Sequence, residues 1–265
     1  MLLLFTFILL VDHLLATTTP TLVLPGGGIF FYHMAGQLQH LASSPRYRPL
    51  SSFPKIGASA GALASTLSHN EVDFFIASEF AINQCKGHGL MQPANDSFPN
   101  PFGLAGIWGA MVGDWLDLLL PNDAHTKTTS KVTILATPCT FPISKQAINR
   151  FDTREELISA NLASIHIPFF LDGKPTSSFN NQQFVDGSFF LRTAENYLPY
   201  LSPPPSEHIS FSHQDDLKFQ AASNANDRLD FLKLISEKSL YEMIERGVDF
   251  AKERESRGEF VALEY

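Results

Sequence analysis

Pro54-Lys55-Ile56-Gly57-Ala58-Ser59-Ala60-Gly61 carries a short apolar run into a serine whose four nearest neighbours are all Gly or Ala. From Ala62 to Ser68 the chain reads as helix. A strand that ends in Gly-x-Ser-x-Gly and turns straight into a helix gives that motif its chemical meaning. The serine then sits on a sharp, strained turn, and its Oγ projects from the sheet edge as a nucleophile. Only very small neighbours fit such a turn, and Gly57, Ala58, Ala60 and Gly61 meet that requirement. A bare match arises by chance in roughly one chain in ten of this size. The preceding strand and the small-residue run therefore matter more than the motif, which by itself also fits a tight turn with no chemistry.

Upstream, Thr21-Leu22-Val23-Leu24 is a second β-like run, ended abruptly by Pro25-Gly26-Gly27-Gly28. Ile29 to Leu41 then has apolar residues at helical spacing. Glycines between strand and helix free backbone N–H groups to point at an anion, and the helix dipole adds partial positive charge. A phosphate or the oxyanion of an ester intermediate would suit that place. The dinucleotide fingerprint fails, because Phe31 stands where a third glycine belongs and no acid falls in Leu50 to Phe53. Gly-Lys-Ser/Thr is also absent. The oxyanion reading fits best, against a plain tight turn.

Downstream, helix and strand signals continue to alternate. Helices are expected over Glu71–Lys86, Leu104–Leu120 and Thr153–Ser164, the last opened by a capping box of Thr153 and Glu156. Lys131–Thr137, Gln183–Gly187 and His208–Phe211 read as strands, and a helix over Ser236–Arg254 carries Leu240, Ile244, Val248 and Ala251 on one stripe. The alternation predicts an α/β fold, a single-domain three-layer α/β/α sandwich with a mainly parallel sheet covered on both faces. Trp108, Val112 and Trp115 share a helical face, either packed on the sheet or forming a lid or lipid-facing patch.

The 265 residues suffice for one full domain, and a charged fraction of 17% argues against disorder. A net charge of −8 makes nucleic acid a poor partner. The 23 phenylalanines must bury much aromatic surface or offer some to an apolar ligand. Cys85 and Cys139 lack zinc or redox spacing and read as two buried thiols. The histidines show no metal pair, so neither metal nor cofactor is expected. Residues 1–19 form an apolar leader whose run Leu2 to Val11 is too short to span a bilayer. It reads as a secretory signal, a short membrane anchor or a simple leader, with residues 20–265 as the domain. Secretory or membrane-associated localisation follows if the leader targets or anchors, cytoplasmic otherwise, and the sequon at Asn95 matters only on the secretory path.

A serine hydroxyl needs a base. Asp172 and Asp186 each precede a glycine. Asp172 sits in a turn-like stretch before Lys174-Pro175, whereas Asp186 ends a strand, where a side chain is held rigidly at the sheet edge. Asp186 is the better candidate.

Together, Gly26-Gly27-Gly28, Gly57-Ala58-Ser59-Ala60-Gly61 and Asp186-Gly187-Ser188 resemble the patatin-like phospholipases. Further likeness lies in Asp114–His125, the strand KVTILAT, Phe151–Phe170 and the helix Leu234–Ala251. The resemblance implies a serine lipid acyl hydrolase working through an acyl-enzyme, with Ser59 as nucleophile and Asp186 as base of a Ser-Asp dyad. It implies an oxyanion loop of Gly26, Gly27 and Gly28, assisted by Ala60. A glycerolipid acyl ester would be the substrate, met at a membrane or lipid-droplet surface as a peripheral protein. Two departures stand out: Phe30 and Phe31 occupy positions where the family often has a basic residue and then glycine, and Ser188 replaces the usual Gly or Ala. Two alternatives are an esterase triad of Ser59, Asp186 and His208 or His213, and a catalytically silent lipid-binding protein of the same fold.

Overall fold

Thr21–Leu24 (β1), Lys55–Ala58 (β2) and Val132–Pro138 (β3) are buried at every residue, as parallel strands covered on both faces must be. They belong to a computed structural model that describes residues 19–90, 105–191, 193–223 and 236–265. The leader, save its last residue, and the Asn95 sequon lie outside the described residues. The strands β4 (Gln146–Ile148), β5 (Ser177–Phe179), β6 (Gln182–Val185) and β7 (His208–Ser210) complete a seven-stranded sheet. Its order is β5-β6-β3-β2-β1-β7, with β4 also on β3. β7, β1, β2 and β3 run parallel, while β4 and β6 join β3 antiparallel and β5 joins β6 antiparallel. The carboxyl ends of the parallel strands therefore share one edge, where α/β sheets place their sites.

The two faces are covered unequally. Leu22, Leu24, Val132, Ile134 and Ala136 join the main core under the helices. These are α1 (Phe31–Ala42), α2 (Ala60–His69), α3 (Phe74–Gly87), α4 (Trp108–Leu119), α5 (Ala124–Thr128), α6 (Arg154–Ser164), α7 (Leu217–Ser223) and α8 (Glu237–Ser256). Val23, Ile56, Ala58 and Leu135 face the other way, onto Ala194 and Tyr197. Among the described residues that layer holds two 3₁₀ turns, Ala194–Asn196 and Leu198–Tyr200. Pro199 and the run Pro203-Pro204-Pro205 keep this stretch from propagating as a long helix.

Local signals explain the helix ends. Asp73 caps α3 by accepting from Phe75 and Ile76. Thr153 Oγ1 accepts from the Glu156 amide at 3.1 Å, but Glu156 returns its carboxylate to the Asp152 amide, one residue beyond the expected capping box. α8 docks on α1 through two bare backbones: a Cβ at Gly36 would lie 2.1 Å from Ile244 O, and one at Gly247 2.1 Å from His33 O. Leu240, Ile244 and Ala251 are buried there as expected, whereas Val248 is only half-buried. Cys85 is buried, but Cys139 is exposed, correcting the expectation of two buried thiols. It follows β3 in the loop that leaves the sheet. Among the described residues no helix is long and apolar enough to cross a membrane.

Candidate active site

Ser59 stands between β2 and α2 with φ 53° and ψ −129°, backbone that L residues rarely adopt. The strain is held in place by close packing around it. A Cβ at Gly57 would lie 2.3 Å from Gly61 O. The Ser59 amide donates to Ser164 Oγ at 2.9 Å, and that hydroxyl donates to Leu135 O at 2.7 Å. Ser164 O in turn accepts from the Gly187 amide at 2.8 Å, and His166 O accepts from the Asp186 amide at 2.7 Å. The carboxyl end of α6 thus ties the serine turn to the aspartate turn. Neither Ser164 nor His166 stands out in the sequence, since each acts across the fold through common atoms.

Asp186 is 2% exposed. Its Oδ1 accepts from the Ser188 amide at 2.7 Å and from Ser188 Oγ at 2.6 Å. Thr137 Oγ1 holds its carbonyl at 2.7 Å and accepts from Lys145 Nζ at 2.6 Å. Oδ2 is buried without a well-formed hydrogen bond among the described residues. Burial raises the carboxyl above its ordinary value of 3.8, while Ser188, the Ser59 hydroxyl and the Lys145 charge oppose that rise. The Ser59 hydroxyl thus acts on the carboxyl, although no hydrogen bond to Oδ2 is formed among the described residues. Catalytic hydrogen bonds are often loose before substrate binds. Burial also lowers Lys145 to about 8. Asp172, by contrast, accepts from the Lys174 amide at 3.0 Å in a surface turn.

The glycine turn after β1 reaches the same edge. The Gly26 amide is already occupied, donating to the buried Tyr197 hydroxyl at 3.0 Å. The amides of Gly27, Gly28 and Ala60 have no protein acceptor among the described residues. Gly28 takes φ 53°, which favours glycine. Gly28, Ser59 and Ala60 all line one cavity of about 100 Å³. Phe30 stacks on His213 with ring centroids 4.0 Å apart, and Phe31 lines the cavity near Trp115. Phe30 and Phe31 thus place two apolar rings beside the glycine loop. Burial holds His213 at about 4, so its ring is neutral at neutral pH.

The cavity wall is apolar. Trp108, Met111, Val112 and Trp115 of α4 form one side, and Ile165, Ile167 and Phe170 another. The tryptophan stripe is therefore core and cavity wall at once, with Trp115 Nε1 tied to Ala77 O at 2.9 Å. His208 pairs with Thr21 at the start of β1, three residues below the carboxyl edge, roughly 10 Å away. Among the described residues neither His208 nor His213 is hydrogen-bonded to Asp186, so no imidazole bridges it to Ser59. Nor, among them, do three His, Cys, Asp or Glu side chains group closely enough to hold a metal ion.

A family model described as Patatin-like phospholipase matches residues 22–198, a span that holds the serine turn, the glycine loop and Asp186. No curated protein matches the chain significantly.

Proposed function

The chain belongs to the patatin-like phospholipase family of lipid acyl hydrolases, and from that premise we propose that it cleaves glycerolipid acyl esters through Ser59 and Asp186. The observation that carries this reading is the unpartnered, buried Asp186 Oδ2 beside a serine on strained backbone. Ser59 Oγ attacks the ester carbonyl carbon while its proton passes to Asp186 Oδ2. The amides of Gly27, Gly28 and Ala60 receive the developing oxyanion, and loss of one such donor typically costs about 3–4 kcal/mol of barrier. The intermediate collapses, the C–O bond breaks, and Asp186 returns the proton to the leaving alcohol. Water then attacks the acyl-enzyme and gives its proton to Asp186, which passes it to Ser59 Oγ as the acyl C–O bond breaks and the fatty acid leaves. The acyl chain occupies the apolar cavity beside Ser59. A fluorophosphonate probe tests the assignment: a covalent adduct on Ser59, with acyl release from a p-nitrophenyl ester, is expected. Absence of both would leave a silent lipid-binding relative.

Ionised Asp186 is the active base, and its folded value lies above the ordinary 3.8 because of burial. Activity is therefore complete at higher pH and is lost as pH falls through that raised value. A pH profile of kcat/KM is expected to show an acid limb centred above 3.8.

A lipid surface is the partner this reading requires. Phe141, Phe169 and Phe190 are 96%, 65% and 84% exposed, on loops that follow β3, α6 and Asp186. Phe169 and Phe190 also take φ of 64° and 68°, a cost for bulky residues. Phe169 lies between the cavity-lining Ile167 and Phe170 in the chain, which puts one exposed ring next to the cavity wall. Phe141→Ser and Phe190→Ser are each expected to weaken sedimentation with phosphatidylcholine vesicles by about tenfold, the worth of one buried ring. Unchanged sedimentation would place the contact elsewhere.

A further inference from the structure

We propose that Ser188 is a positioning residue: its hydroxyl and its amide both grip Asp186 Oδ1, which leaves Oδ2 alone to face Ser59. The proposal rests on the Ser59–Asp186 reading above. The two donors reach the same oxygen at 2.6 and 2.7 Å. A carboxylate terminus otherwise turns in a broad torsional well, and two fixed donors on one oxygen remove that freedom. The other oxygen is left buried and bare.

Ser188 is itself held. A Cβ at Gly26 would lie 2.4 Å from Ser188 Cβ and 3.1 Å from Ser59 Cβ, so both serines crowd one bare Cα. Leu191 N donates to Ser188 O at 2.9 Å and closes the turn.

The same hydroxyl acts on the charge. The groups facing the carboxylate are Ser59 from the serine turn, Ser188 from its own turn, Lys145 from the segment before β4, and Tyr197 from the opposite layer. Burial pushes the carboxyl up. Among the influences pulling it down the Ser188 hydroxyl is the largest, ahead of Ser59, the Ser188 amide and Lys145. Removing it leaves Oδ1 with one donor in a site where charge is already costly. The base then ionises at higher pH and is less well aimed.

The test measures kcat and KM on a soluble p-nitrophenyl ester from acid to alkaline pH for the full chain, Ser188→Ala and Ser188→Thr, with melting temperatures alongside. Ser188→Ala is expected to lower kcat about tenfold at unchanged KM, the worth of one hydrogen bond to a charged group. Its acid limb is expected to move up by about one pH unit, and Ser188→Thr, which keeps the hydroxyl, restores both. An Ala profile that superimposes on the parent overturns the proposal. So does a kcat loss with the acid limb unmoved, which marks mere packing, or a Thr variant that behaves like Ala. Asp186→Asn, run in parallel, separates the two levels: full activity there sinks the dyad itself, whereas an inactive Asn variant beside a parent-like Ala variant sinks only the role of Ser188.

Discussion

Ser59→Ala and Asp186→Asn are each expected to reduce p-nitrophenyl ester hydrolysis by about 10⁴-fold or more, while Asp172→Asn is expected to leave it intact. Ser59 has no neighbouring hydroxyl that can take over its place on the strained turn, since the rest of that turn is Gly and Ala. Ser188 has a hydroxyl but spends it on Oδ1. Asp186→Asn keeps an acceptor for Ser188 and fills the same volume, so the loss reports basicity rather than collapse. The two variants differ in stability. The Asp186 carboxyl has a folded value raised by burial, so the folded protein holds that proton more tightly than the unfolded chain. Stability from this group is present at low pH and is lost as pH rises from the ordinary 3.8 through the raised value. At neutral pH its charge therefore opposes folding, and Asp186→Asn is expected to melt above the parent while Ser59→Ala does not. An Asn variant that retains activity would transfer the base role elsewhere.

Gly61→Ala is expected to be the most damaging glycine-to-alanine change among the described residues. A Cβ there would lie 1.7 Å from Leu24 O, 2.5 Å from Leu24 C and 2.8 Å from Pro25 O. These three nearest obstacles are all backbone, of β1 or of the proline before the glycine loop, so none of them can swing aside. Either α2 moves off β1 or the serine turn opens. Overpacking of this kind costs about 3 kcal/mol or more, which lowers the melting temperature by roughly 6–12 °C in a domain of this size. Because β1 also carries the glycine loop proposed to hold the oxyanion, a displacement near 1 Å would separate the proposed donors from Ser59 and is expected to remove about 10²-fold of activity. Gly113→Ala is the matched control. The added Cβ there meets only Leu162 Cδ1 at 3.8 Å, on a helix, so propensity alone acts and stability rises by about 0.5–1 kcal/mol. Melting curves and ester turnover on the pair separate crowding at the turn from any general effect of replacing glycine.

What the amino-acid sequence determined by itself was local. The serine turn, the glycine loop and the strand-ending aspartate are legible because each writes its backbone demand into adjacent residues. Gly57 and Gly61 must be bare where main chains touch, and Gly28 must allow positive φ. The alternation of strands and helices likewise announced a mainly parallel sheet, since parallel pairing needs a crossover and a crossover is usually a helix.

The tertiary structure alone decided how those pieces act together. The Ser59 amide meets Ser164 across 105 positions of chain, and the Gly26 amide meets Tyr197 across 171. It also decided that the tryptophan stripe of α4 walls a cavity, that Phe30 finds His213, that Cys139 stays in water, and that 3₁₀ turns cover the second face. The physical reason is the range of the interactions. Torsional limits and side-chain periodicity act over a few residues and leave a pattern there. Hydrogen bonds between distant segments need only a common donor and acceptor brought to within about 3 Å, and nothing in the neighbouring residues records which partner folding will supply.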